Sequence, residues 1–305
     1  MIRTTMNPVD WALLIGLSIL WGGSFFFIEI AVKSLPPLTL GALRVSLAAV
    51  FLWAVVVVLK LNIRFPARVW VAFLGMGLLN NAIPFTLFAS AQQEIASALA
   101  AILNATTPLF TVLVAAIFLS DEKPSTLKIL GVVAGFIGVV IMIGADLFGS
   151  DMLGTTLVAI FAQLACLAAA LSYAFAGAFG RRFGRYGVHP ILTATGQLTA
   201  SSLILWPLAL LYDGADAGLG ALDLAPLLSM LGLAIASTAL AYVIYFKLLA
   251  SVGSTNLLLV TFLVPVTASL LGIFILGEHL AFSDVVGMAF IAVGLSAIDG
   301  RLWRR

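Results

Sequence analysis

Long apolar runs, broken by short polar or turn-rich stretches, dominate the chain. The breaks fall at Pro36-Pro37, Asn62 to Pro66, Gln92 to Glu94, Asp121 to Pro124, Asp146 to Asp151, Arg181 to Arg185 and Asp213 to Asp223. Between these breaks the apolar runs cover approximately residues 9–31, 38–59, 67–90, 95–119, 126–145, 154–178, 189–212, 225–247, 254–276 and 283–299. About 20 apolar residues suffice for a helix to cross a bilayer, so the pattern predicts ten transmembrane helices. The last run is short, and only Gln92, Gln93 and Glu94 part the third from the fourth. The first run is too long for the apolar core of a secretory signal and no A-x-A-type cleavage pattern follows it. It therefore reads as a spanning helix.

Composition agrees. Of 305 residues, 63% are hydrophobic and 9% charged, where a soluble protein carries about 25% charged residues. The expected solvent is lipid. A net charge of +2 is too small, and its basic residues too scattered, for a nucleic-acid partner. The single cysteine, Cys166, excludes an intrachain disulfide and a cysteine-built zinc site. No Walker lysine motif, no His-Glu-x-x-His and no nucleophile elbow is present. No enzyme activity, metal or other cofactor is expected, and the partners are a small-molecule solute and the bilayer.

Orientation follows from lysine and arginine. With the N-terminus in the cytoplasm, thirteen of these residues, among them Arg3, Lys60, Arg64, Lys123, Arg181, Lys247 and Arg301, lie on the cytoplasmic side. Only Lys33 is outside, and Arg44 falls within a helix. Both termini are thus expected in the cytoplasm, on a multi-pass protein of the inner (plasma) membrane.

The chain also matches itself. A shift of 157 residues places Gly75 on Gly232, Ala82 on Ala239, Ser97 on Ser254 and Pro108 on Pro265, and a shift of 156 then places Glu122 on Glu278, Gly131 on Gly287 and Gly138 on Gly294. The repeat unit holds five helices, and an odd number inverts the second copy. The expectation is an all-α membrane protein of ten transmembrane helices, arranged as two five-helix inverted-topology repeats, residues 1–148 and 149–305. Such duplication lets one central site face either side of the membrane in turn.

Polar groups within the bilayer tend to face the bundle interior, which selects the candidate site residues. In the fourth helix Asn104, Thr107 and Thr111 share a face beside Pro108. In the third, Asn80, Asn81, Phe85 and Phe88 map onto Ser237, Thr238, Tyr242 and Tyr245 of the eighth. Polar heads beside aromatic rings suit a small amphipathic solute. Trp21, within Trp21-Gly22-Gly23-Ser24, and Gln163, roughly 13 Å into the sixth helix, complete the substrate-binding set of Trp21, Asn80, Asn81, Phe85, Asn104, Thr107, Gln163, Thr238 and Tyr242. Pro84, Pro108 and Pro265 are the candidate helix bends or gates. Phe88 and Tyr245 fit a pocket or an interfacial aromatic belt equally. Arg44, roughly 9 Å into its helix, either meets a substrate carboxylate or Glu29, or snorkels to the outer surface. Glu29 and Lys33, four apart, pair with each other. Glu122 and Glu278 read as helix N-terminal caps, and Gly131, Gly135, Gly138, Gly287 and Gly294 as helix-packing surfaces. No buried run of Asp, Glu and His resembles a proton relay.

The segment from Ala96 to Leu119, the acidic turn with Glu122, the spacing of Gly131 and Gly138, Trp21-Gly22-Gly23-Ser24 and Leu43-Arg44 together resemble the drug/metabolite transporter superfamily, EamA-type branch. The second half repeats these features at Pro265, Leu276-Gly277-Glu278 and Gly287. Within that branch the chain is most similar to the YddG-type exporters of aromatic and other amino acids. One departure is Leu119-Ser120-Asp121-Glu122, where the family usually has Leu-Gly-Glu. The resemblance implies a ten-helix transporter of small metabolites or drugs, often an exporter, with its site between the halves; the residues themselves favour export or facilitated diffusion of amino acids by alternating access. The rival reading is a proton-coupled effluxer of drugs or toxic compounds.

Overall fold

The computed structural model describes residues 6–119, 124–149, 153–214 and 222–303. Among them every regular element is helical: α1 (Pro8–Ala31), α2 (Pro37–Val58), α3 (Ala67–Ala91), α4 (Ser97–Phe118), α5 (Thr126–Gly149), α6 (Leu153–Arg185), α7 (Pro190–Tyr212), α8 (Leu224–Gly253), α9 (Val260–Leu276) and α10 (Phe282–Asp299). Nine of these are long and apolar enough to cross a membrane; α9 is shorter. The ninth expected span, 254–276, is interrupted. Gly253 adopts a left-handed φ of 75° that kinks the chain after α8, and a turn at Leu258-Leu259 separates the following helical turn from α9. Large apolar side chains such as Phe274, Ile117 and Leu211 point outward, each more than 70% exposed. That surface matches a lipid solvent and no other.

Local sequence fixes the helix ends. Asn7 caps α1: its side-chain oxygen accepts from Asp10 N at 2.8 Å, and the Asp10 carboxylate accepts from Asn7 N at 3.1 Å. Proline opens α2 and α7 near their first positions, where the missing N–H costs nothing. Pro108 divides α4. Its ring forbids the bond to the residue 104 carbonyl, the helix breaks after Asn104, and the Thr107 hydroxyl donates to that freed carbonyl at 2.8 Å. Pro84 lies in α3 just after a π-helical turn, Leu78–Ala82. Pro265, by contrast, lies inside uninterrupted helix, so the break near it comes earlier in the chain.

Helix pairing follows a rule. The main contacts are α5 with α10, α2 with α7, α4 with α9, α1 with α9, α4 with α6, α1 with α8, α3 with α6, α2 with α8 and α3 with α7. Exchanging α1–α5 for α6–α10 leaves this set unchanged. The α5–α10 seam shows why. A Cβ on Gly131 would lie 2.6 Å from the Gly294 carbonyl oxygen, and one on Gly138 would lie 2.5 Å from that of Gly287. Gly131 thus meets the repeat partner of Gly138, and Gly138 meets the repeat partner of Gly131. In a two-fold contact residue i meets j of the partner while j meets i, which is the pattern of these four glycines. Gly75 and Gly232 are matched likewise, each facing a phenylalanine ring of the other half, Phe179 and Phe27.

Candidate functional site

Between the halves lies a cavity of about 590 Å³, within the usual range for a small-molecule site. α1 contributes Trp21, Ser24 and Phe25; α2, Arg44; α3, Asn80, Phe85 and Phe88; α4, Asn104 and Thr107; α6, Tyr173; α7, Gln197; α8, Ser237, Thr238, Tyr242 and Tyr245; and α9, Thr261 and Pro265. Two π-helical segments, Leu78–Ala82 and Gly232–Leu240, carry Asn80-Asn81 and Ser237-Thr238. Each added residue in a π turn rotates the following side chains relative to an α-helix. Such turns concentrate at functional sites, and here they occupy repeat-related positions.

A polar network lines one wall. The Asn80 amide donates to Gln197 Oε1 at 3.2 Å and to the Tyr242 hydroxyl at 3.1 Å. Tyr242 donates onward to Asn81 Oδ1 at 3.2 Å, and the Asn81 amide donates to Ser201 Oγ at 3.0 Å. Arg44 crosses from α2. Its Nε donates to Thr238 Oγ1 at 2.9 Å, its Nη2 donates to Ser24 Oγ at 3.1 Å, and its guanidinium carbon lies 3.6 Å from the centre of the Phe85 ring.

Aromatic rings make up much of the remaining lining. Trp21 and Tyr245 are 5.6 Å apart between ring centres, Phe25 meets Phe88 edge-on at 5.4 Å, and Phe88 stacks near Tyr173 at 6.3 Å. These distances lie in the favourable range for ring pairs.

The cavity has one open end. Its lining reaches the exposed Gly177 and Arg181 near the end of α6, and Thr193 and Thr261 near the starts of α7 and α9. Toward the other end it stops at buried Phe25, Ile28 and Phe88. Beyond those rings three hydrogen-bonded ties join helices. Gln92 Nε2 donates to the Phe25 carbonyl at 2.8 Å. Thr39 N and Oγ1 both donate to Asp213 at 2.8 Å. Ser97 N and Ala98 N donate to the Glu278 carboxylate at 2.8 and 3.0 Å. Glu278 therefore caps α4, in the other half of the chain, and not the helix that follows it. The left-handed Gly277 (φ 70°) turns the chain back so that this carboxylate can reach. Its expected counterpart, Glu122, lies outside the described residues.

Of the expected binding residues, Trp21, Asn80, Phe85, Asn104, Thr107, Thr238 and Tyr242 line the cavity. Asn81 does not; it is fully buried behind Asn80 and holds Tyr242. Gln163 also stands apart, buried beside Cys166, about 15 Å along α6 from Tyr173. Pro84 and Pro108 are buried off the lining, whereas Pro265 is on it. Thr111 is exposed and bonds back to the Thr107 carbonyl. Phe88 and Tyr245 belong to the pocket rather than an interfacial belt. Arg44 neither snorkels nor meets Glu29; Glu29 pairs with Lys33 at 3.5 Å. Ser24, Tyr173 and Gln197 were missed. Tyr173 and Gln197 have no repeat-matched polar partner to flag them, and Ser24 is masked by the glycines beside it. Those glycines do pack, since a Cβ on Gly22 would lie 2.9 Å from Ala268 N.

Comparison with known proteins places this cavity in context. The model of the EamA-like transporter family matches the chain twice, at residues 11–144 and 160–298. A "Probable amino-acid metabolite efflux pump" of Salmonella typhimurium is 28% identical, covering 95% of this chain and 94% of its own length. The protein of the same description in Escherichia coli K12 is 25% identical and covers 98% of both. The "Uncharacterized inner membrane transporter YedA" of the same strain is 27% identical over 91% of this chain and 86% of its own. A protein solved by crystallography shares the fold with a TM-score of 0.67 at 22% identity, over 94% of this chain and 97% of that one.

Proposed function

The chain belongs to the EamA-like transporter family, and we propose that it moves small amphipathic metabolites, amino acids including aromatic ones, out across the inner membrane by alternating access. The observation that carries this reading is the inter-repeat cavity, open at one end and sealed by rings and hydrogen bonds at the other. Two halves of five helices each are inverted relative to one another, and the reciprocal Gly131–Gly294 and Gly138–Gly287 contacts support that relation. In an inverted pair, the arrangement that seals one end of the cavity can in turn seal the other. The lysine and arginine distribution supports a cytoplasmic location for the open end and for both termini. A lining that combines amides, hydroxyls and aromatic rings fits an amphipathic solute. The relatives described as amino-acid metabolite efflux pumps point to the same class.

Transport runs down the solute's own gradient. Among the described residues no aspartate, glutamate or histidine lines the cavity, so no group there is suited to carry a coupled proton. The test is a screen of radiolabelled amino acids in proteoliposomes, with and without an imposed pH gradient. Saturable flux that is indifferent to the gradient is expected. Strict dependence on the gradient would instead establish the proton-coupled effluxer, and no flux of any amino acid would remove the substrate class.

A further inference from the structure

Arg44 is the exceptional side chain of this cavity. It sits in mid-helix, only 6% exposed, and no acid pairs with it among the described residues. Its two hydrogen-bond partners are the neutral hydroxyls of Thr238 and Ser24. A guanidinium has five N–H donors in a rigid fork, so three remain without a partner among the described residues. Burying a charge without a counter-ion is costly, and hydroxyl dipoles offset only part of that cost. A side chain kept for packing alone has no need of the charge.

On the proposed transport reading, we infer that Arg44 is the anion subsite of the cavity and that the solute is recognised as a monocarboxylate. The guanidinium is already oriented. Thr238 and Ser24 hold one edge, Phe85 covers a face, and the free edge borders the cavity, where a carboxylate can take two parallel N–H···O bonds. The solute's apolar part then lies toward Trp21, Phe25, Phe88 and Tyr245. The inference also predicts exclusion. The cavity's charged lining residues are Arg44 and, at the mouth, Arg181; no anionic side chain among the described residues lines it to receive an ammonium. A carboxylate that lacks an amino group is therefore accepted, and an amine that lacks a carboxylate is refused.

The experiment uses the purified full-length protein and four related probes: L-phenylalanine, hydrocinnamate, L-phenylalaninamide and phenethylamine. Binding is read by ligand-dependent thermal stabilisation in detergent, and flux by counterflow in proteoliposomes. Phenylalanine and hydrocinnamate should bind at least about tenfold more tightly than the amide and the amine, since a site built to bond a group rejects analogues lacking it. In Arg44→Gln that preference should fall to less than about threefold, and in Arg44→Lys part of it should return. Loss of affinity for all four probes alike in Arg44→Gln would mean a structural role and overturn the inference. So would binding of phenethylamine as tightly as hydrocinnamate by the unaltered protein, a measurement that needs no variant to fold. Carboxylate-selective binding without flux of any probe would leave the subsite standing and remove the transport reading. Flux of amines that carboxylates do not inhibit would do the reverse.

Discussion

Glu278→Gln tests whether the tie between the halves holds the cavity shut. The carboxylate accepts from two backbone amides at the start of α4, Ser97 N at 2.8 Å and Ala98 N at 3.0 Å. α4 has no side-chain cap of its own, so Glu278 supplies what an N-cap residue would. Glutamine keeps one oxygen, sets an N–H donor against the other amide and removes the charge facing the helix dipole. A bond to a charged group contributes about 1.5–3 kcal/mol, and losing a cap costs about 0.5–2 kcal/mol. These overlap, and the carboxylate is partly solvated, so about 2 kcal/mol is an upper figure for the substitution. If the tie exists only while this end is closed, that energy shifts the closed-to-open ratio about thirtyfold. The assay is labelling of Ile28→Cys, buried at the sealed end of the cavity, by an impermeant maleimide added from the Glu278 side. The native Cys166 is fully buried and gives little background. Labelling should accelerate by roughly that factor, and Ser97→Pro should reproduce much of it, because proline at the first helical position removes the donor without breaking the helix. Unchanged labelling together with a lowered Tm would refute the reasoning: the tie would then persist in both states and serve only as a cap.

Gly138→Leu should prevent the α5–α10 seam from closing, because even a Cβ would lie 2.5 Å from the Gly287 carbonyl oxygen; loss of the monodisperse peak in size-exclusion chromatography is expected, while Gly144→Ala, with nothing within 4 Å of its Cβ, behaves as wild type. Asn81→Ala removes the acceptor of Tyr242 and the donor to Ser201 in a fully buried site, so a loss of about 1–3 kcal/mol is expected, read as a lower Tm with weaker solute binding. Tyr242→Phe keeps the ring stacked near Phe246 at 6.1 Å but leaves the buried Asn81 Oδ1 without its donor and removes one of the two acceptors of Asn80; affinity should fall several-fold with a drop in Tm no larger than that of Asn81→Ala, and an unaltered affinity would exclude the hydroxyl from solute recognition.

How far the sequence predicted this molecule depends on the kind of signal. Helix existence was legible, because a bilayer demands long apolar runs and the chain has them. The depth-matched pairs Asn80/Ser237 and Phe85/Tyr242 were legible too, since a repeat aligns equivalent depths without any structure. Facing was not. Asn81 and Asn80 are neighbours, yet one lines the cavity and the other is buried behind it, and the π turn at Leu78–Ala82 sets which. Apolar and polar periodicity at 3.6 residues per turn gives no warning of a five-residue π segment. Only depth marks Gln163 in the sequence, and depth does not say which neighbour a helix face meets. Glu278 was recognised as a cap, but its partner, the amides of α4 in the other half, depends on how the halves dock.

The Arg44 subsite adds a constraint on how the two halves share their work. Asn80 corresponds to Ser237, Asn81 to Thr238 and Phe85 to Tyr242 in the repeat, so the pattern of positions is duplicated while the chemistry is not. The charge is the extreme case: the corresponding stretch of α7, Leu198 to Ser201, carries no cation. A solute that moved from one half's pocket to an equivalent pocket in the other would lose its counter-ion on the way. On the alternating-access reading, it stays on Arg44 while the ends open in turn. Thr238 of α8 and Ser24 of α1 both hold that arginine, so helices of both halves can move around a fixed charge only if those two bonds survive the change. Thr238→Val removes the acceptor of Arg44 Nε without altering the shape of the side chain. The variant should keep its preference for carboxylates, because Arg44 itself is intact, but lose exchange rate more than affinity. Equal loss of both would mean that Thr238 serves only to seat the solute, and the fixed-charge argument would fail.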